Sequence, residues 1–219
     1  CTTELPGLFV AGEDAGGVHG ANRLGGNGVA NSTVFGAVAG DTMAAWVKKE
    51  GALRDPDQAA IVAAVGRCEP KTVSLHGSLE PLRERLYDLM WEKVGIIRNA
   101  AGLRSALSEL NALSDELAAT GIADANRAFN LTWHDWLNLK SLTETSRVIA
   151  QAALAREDSR GAHYREDFPE AGPLETSSYT SARFAGERLE IGMKPVAFTR
   201  VRPGETIAFV GPSGAGKST

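Results

Sequence analysis

Between Leu82 and Leu154, apolar side chains recur every three or four residues for most of the length, and that period commits the middle of this chain to helix. Leu82, Leu86, Leu89, Met90, Lys93 and Ile97 form one stripe, with Lys93 its one polar member, while Arg83, Glu84, Asp88 and Glu92 fall mainly elsewhere. Leu103, Leu107, Leu110, Leu113 and Leu117 form a second stripe, and Trp133, Trp136, Leu139, Leu142, Ile149 and Leu154 a third. Gly102 and Gly121 are the candidate breaks between them. Ahead of the stripes, Asp55, Pro56 and Gln58 supply an N-cap, a first-position proline and a third-position glutamine for a further helix start. Amphipathic helices of this length bury their stripes against one another, so the stripes predict an antiparallel three-helix bundle.

The flanks have a different texture. Residues 7–11 are an apolar run stopped by glycine and read as a short buried strand. A Gly-rich loop follows from Gly16 to Gly28, and small residues at helical spacing then predict a close-packed helix reaching Trp46. After Ser159 the chain is dense in charge and turn residues, as in a surface loop, and 183–205 alternates loosely as in a short hairpin. Residues 207–210 read as a buried strand leading into a second Gly-rich loop. The expected fold is therefore α+β, mainly α, divided at 1–50, 51–175, 176–206 and 207–219.

Composition excludes several classes. A net charge of -4 argues against a nucleic-acid surface, which needs positive charge for phosphates. No apolar run approaches the roughly 20 residues that span a bilayer, and no signal peptide is visible. Cys1 and Cys68 make neither a disulfide framework nor a CxxC pair, which fits a reducing, cytoplasmic setting. The chain starts at Cys1 and stops at Thr219 inside a motif, so it reads as a fragment.

Strand, Gly-rich turn and helix start make a site for an anion or an electron-rich ring edge, because free backbone N–H groups and the helix dipole converge there. Arg23 can clamp a carboxylate. The plain alternative is a strand-to-helix connection with a surface arginine. The string LPGLFVAGEDAGGVHGANRLGGNGVANSTVFGAVAGD closely resembles the FAD-binding segment of fumarate reductase and succinate dehydrogenase flavoproteins, and of the related L-aspartate oxidases. That resemblance implies that Glu13 bonds the ribityl hydroxyls of FAD, Arg23 binds a substrate carboxylate, and the backbone at Gly26 lines the same pocket. It also implies that the backbone at Gly28 and Val29, where the helix starts, meets the pyrimidine edge of the flavin, that Asn27 belongs to the cofactor-binding set, and that His19 orders the loop. Many members continue with Ser-Leu after Asn27, where this chain has Gly28-Val29, a change that backbone contacts tolerate.

The strings MWEKVGIIRNAAGL, NRAFNLTWHDWLNL and AREDSRGAHYREDFPE are similar to the C-terminal domain of the same flavoproteins, which extends the resemblance to about residue 206. In these terms residues 1–50 are the end of an FAD-binding α/β domain, followed by the bundle and a β tail. The charged loop has two readings: a solvated ion-pair network, or a loop docked near the active site with His163 and Arg165 reaching inward. The implied activity is hydride transfer between FAD and a small dicarboxylate, succinate to fumarate or the reverse. The implied partner is an iron–sulfur subunit, with membrane association only through such a partner. The piece is expected to be inactive alone.

Gly211, Gly214, Gly216, Lys217, Ser218 and Thr219 satisfy the P-loop pattern, in a segment that resembles ATP-binding cassette transporters. The helix that would hold the phosphates is absent, so ATP and Mg²⁺ enter only if the segment continues. Transporter ATPases carry a stretch like VRPGET before their P-loop, and the flavoproteins end in a similar one, so the chain reads as a join there. The rival assignments are the start of such an ATPase and an L-aspartate oxidase.

Overall fold

The computed structural model describes every residue except 24, 52–54, 70–76, 123, 125, 187 and 206–219. It is mainly helical α+β: α1 (Asn27–Glu50), α2 (Gln58–Cys68), α3 (Glu80–Val94), β1 (Ile97–Arg98), α4 (Ala100–Thr120), α5 (Leu131–Ala155), β2 (Tyr164–Arg165), β3 (Ser178–Ala185) and β4 (Arg188–Pro195). Two compact units divide it: Cys1–Asp55 with the segment from Ala197, and Pro56–Val196. The strand expected at 207–210 and the P-loop residues Gly211 to Thr219 lie outside the described residues.

In the larger unit, α3, α4 and α5 bury one continuous core. Leu82, Leu86 and Leu89 meet Leu103, Leu110, Leu113 and Leu117, and Trp136 and Leu139 close the third side. Lys93 sits at the rim of its stripe, where its Nζ donates to Ser105 Oγ at 2.9 Å and pairs with Glu109. The predicted stripes need three corrections. Ile97 is not on α3: it lies in β1 and is 58% exposed, because the helix stops at Val94. Gly95 turns the backbone out of the helix at φ -69 and ψ -135, a path that needs glycine, since a Cβ there would lie 2.3 Å from the Trp91 carbonyl oxygen. Gly102 breaks nothing; it stands in the first turn of α4, where its N–H donates to the Asn99 side chain that caps the helix. On α5, Leu142 and Ile149 are over 40% exposed, while Thr143, Ser146, Ala150 and Ala153 are buried. The helix before the bundle also starts late, at Gln58, with Asp57 rather than Asp55 accepting from Ala59 N and Ala60 N.

β3 and β4 pair antiparallel about Gly186, so the hairpin spans 178–195, earlier than 183–205, and turns inside the string RFAGERLEI. Arg183 stands opposite Glu190 and donates to it at 2.7 and 2.9 Å. Arg156 ties the hairpin to the end of α5, donating to Ser178 O at 3.0 Å.

The segment 156–168 is not wholly a surface loop, because Ser159 and Arg165 are buried within it. β2 pairs parallel with β1, with α4 and α5 forming the long crossover that parallel pairing requires. This pairing carries the Arg165 side chain inward until it is 1% exposed. Nη1 donates to the carbonyls of Ala153, Leu154 and Arg156 at 2.9, 3.2 and 3.0 Å, satisfying the C-terminal end of α5. Nε and Nη2 grip Asp167 at 2.7 and 2.8 Å. Asp167 Oδ2 in turn accepts from Ala100 N at 2.9 Å, at the start of α4. The Arg165 guanidinium holds the Asp167 carboxyl well below the usual carboxylate range. Arg156 Nε pairs with Asp158 Oδ1 at 2.7 Å, and Arg160 binds the carbonyl of Ala171 and the hydroxyl of Ser177.

His163 is half-buried beside Arg98, whose Nη1 lies 2.9 Å from its Nδ1. A guanidinium can only donate, so Nδ1 accepts and the proton sits on Nε2, facing the Arg156 carbonyl at 3.4 Å. Burial pushes the imidazole below its ordinary 6.5, and the Arg98 and Arg156 charges push the same way against the Arg156 carbonyl and Asp158.

Two outcomes follow from this packing. Leu110→Ala, at a fully buried site, is expected to cost about 2–5 kcal/mol in urea denaturation, and Leu142→Ala under about 1 kcal/mol. Equal losses would contradict the core described above. His163 resists a proton that the unfolded chain accepts, so its contribution is complete above pH 6.5 and declines as pH falls below it. Stability measured at pH 7.5 and 5.5 should differ more for the native chain than for His163→Gln.

Candidate functional site

In the smaller unit, the start of α1 is where chemistry-bearing residues gather. The helix begins after Gly26, which takes the left-handed backbone at φ 81 and offers no side-chain cap. No acidic residue stands in the first turn, so its amides keep their hydrogen-bonding capacity and the positive end of the dipole is unopposed. By contrast α2, α4 and α5 spend their first amides on Asp57, Asn99 and Asn130.

Glu13, Arg23, Gly26, Gly28, Val29 and Ser32 surround a hollow of about 500 Å³. Arg23 lies along the first turn, its Nη1 3.8 Å from Glu13 Oε1. The two side chains are 50% and 89% exposed, so this is a water-screened pair of small energetic weight. Close approach of the guanidinium depends on Gly28: a Cβ there would stand 2.6 Å from Nη1 and 3.2 Å from Cζ. Val29 is exposed and offers an apolar surface beside the uncapped amides. The arrangement offers a guanidinium and a positive helix end to a carboxylate and to a flat, electron-rich ring edge such as that of a flavin.

Of the residues singled out in the sequence, Glu13, Arg23, Gly26, Gly28 and Val29 come together at this hollow, and Asn27 opens the helix beside it. His19 is half-buried in the loop. The expected strand at 7–11 reduces to one bridge, Phe9 with Thr2, because only the first few residues lie opposite it. Phe9 packs edge-on against Trp46 of α1, with ring centroids 6.0 Å apart. His163 and Arg165 belong to the larger unit, where every Arg165 nitrogen is committed to the chain's own carbonyls and to Asp167. One residue behind the first turn escaped the sequence reading: Asn31, buried in the second turn of α1, donates from Nδ2 to the Gly12 carbonyl at 3.1 Å. A lone amide among small helical residues was its only signal. Among the described residues no group of acidic, histidine or cysteine side chains is arranged to hold a metal.

Comparison with known proteins supplies the remaining constraint. Residues 83–207 match the family described as fumarate reductase flavoprotein C-term, and residues 1–29 match an FAD binding domain. The succinate dehydrogenase flavoprotein subunit of Coxiella burnetii is 34% identical over 171 residues, covering 76% of this chain and 29% of that protein. The fumarate reductase flavoprotein subunit of Mycobacterium tuberculosis is 34% identical over 216 residues, covering 94% of this chain and 37% of that protein. A solved structure of quinol-fumarate reductase with menaquinol molecules superposes with a TM-score of 0.78 at 28% identity, over 93% of this chain and 36% of that one. The chain thus spans about a third of the length of the relatives it matches. With more than half its residues inside one family match and its fold shared with that solved structure, the chain belongs to the fumarate reductase/succinate dehydrogenase flavoprotein family, as part of its C-terminal region.

Proposed function

We propose that this chain forms one wall of the FAD and dicarboxylate site of a flavoprotein that interconverts succinate and fumarate. The observation that carries the reading is the meeting of Arg23 with the uncapped first turn of α1 across one glycine-floored hollow. When bound, FAD supplies the hydride-exchanging atom of this chemistry. Arg23 pairs with a substrate carboxylate and orients the carbon–carbon double bond, and the backbone at Gly26 borders the same pocket. The amides at Asn27, Gly28 and Val29 and the helix dipole stabilise negative charge on the adjoining ring edge. Glu13 accepts hydrogen bonds from sugar-like hydroxyls.

A partner chain is part of the proposal, because the Mycobacterium tuberculosis relative is called a flavoprotein subunit. An iron–sulfur subunit is the partner expected to relay the electrons. Among the described residues no helix is long and apolar enough to cross a membrane, and the proposal places any membrane association with such a partner. The P-loop pattern at Gly211–Ser218 rests on sequence alone and lies beyond the family match, which ends at residue 207.

In the complete flavoprotein, Arg23→Ala is expected to lower kcat/KM for fumarate by roughly 10²–10³-fold, the loss that follows removal of a bidentate charged contact. The flavin absorbance band should be retained, and undiminished turnover would remove the assignment. Gly28→Ala drives a methyl group into the space of Arg23 Nη1. It should raise KM for the dicarboxylate several-fold with flavin content unchanged; an unchanged KM would show that the arginine works from another position.

A further inference from the structure

A buried side-chain amide is costly unless it is bonded, and Asn31 is one of two buried residues on α1. Its Nδ2 reaches across 19 positions of sequence to the carbonyl of Gly12. Gly12 opens the short 3-10 turn Gly12–Asp14 at φ +79, and a Cβ on it would stand 3.1 Å from Ser32 Oγ, so the turn lies hard against the helix. The turn presents Glu13, while the helix presents Gly28 and Val29 one turn before Asn31. Among the described residues, this is the side-chain hydrogen bond that runs from α1 into the Gly12–Asp14 turn. The exposed Glu13–Arg23 pair at 3.8 Å is too weakly held to fix a spacing.

We infer that Asn31 is a positioning residue for flavin binding, setting the separation between the Glu13 carboxylate and the first-turn amides of α1; this rests on the flavin reading proposed above. Asn31 touches no ligand. It acts by locking two walls that each contribute one kind of contact, hydroxyl-accepting on one side and ring-edge-donating on the other. An aspartate in its place keeps the shape but loses the donor and sets a carboxylate oxygen against the Gly12 carbonyl.

The test is a double-mutant cycle in the complete flavoprotein, with FAD dissociation constants read from flavin fluorescence and melting temperatures of the apoprotein read alongside. Asn31→Ala and Asn31→Asp are each expected to weaken FAD binding about tenfold, in line with one hydrogen bond to a site wall. In a Glu13→Ala background the same substitutions should add little further loss, because the contact they position is already gone. Two results overturn the proposal: Asn31→Asp binding FAD like the native protein, or the Asn31 and Glu13 losses multiplying in the double variant. Where Asn31→Ala fails to fold, Asn31→Asp in both backgrounds carries the test. A native protein without a flavin band is a different failure, since it removes the proposed function itself.

Discussion

One buried guanidinium joins two helix ends of opposite polarity. Arg165 places its positive charge on the last carbonyls of α5, where the helix dipole is negative. The carboxylate it grips, Asp167, meets the first amide of α4, where the dipole is positive. Each charge therefore answers both its partner and a helix terminus, and the buried guanidinium's desolvation is offset while Asp167 stays at the solvent edge. Around it the β1–β2 pairing, the bond from Glu166 N to Arg98 O and the Asn99–Glu166 contact fix the segment in register. The three-helix core supplies the apolar burial, but this ion pair ties the finish of one helix to the beginning of another.

The smaller unit uses polarity in the opposite sense. There a helix start is left without a cap, and the glycines that follow Arg23 keep side-chain bulk away from it. Capping α1 as α4 or α5 is capped would add stability, on the order of 1 kcal/mol, and would fill the same space with the protein's own oxygen. The first amides of α1 donate to no capping side chain, which is what the proposed flavin contact requires of them. Asn31 then shows how such a wall is held without obstructing it, by a bond made one turn further along and facing inward.

The three stripes were legible because long periodic runs of leucine leave few alternatives, and Leu82, Leu86, Leu110 and Leu117 are buried as that period demands. What the period could not reveal was burial by small residues. The inner face of α5 is Thr143, Ser146, Ala150 and Ala153, which no hydrophobic pattern marks, so Leu142 and Ile149 drew the assignment instead. The inter-helix boundary was carried by Asn99 as a cap, a signal masked by the more conspicuous Gly102. Arg165 defied the ordinary rule that charged side chains face water; the reading that turned it inward aimed it at an active site, whereas its partners are the last carbonyls of α5 and Asp167. The residues of the glycine-rich hollow were recognisable from their string, whereas Asn31 stood within that string with no role attached to it.

Helix α1 carries a consequence for how the polypeptide behaves in solution. Val34, Phe35, Val38, Met43 and Val47 are all exposed on a helix of 24 residues. They spread around more than half of the helix circumference rather than forming one stripe. The chain spans about a third of its relatives' length, and handled by itself at high concentration it would self-associate through α1 before its three-helix core gave way.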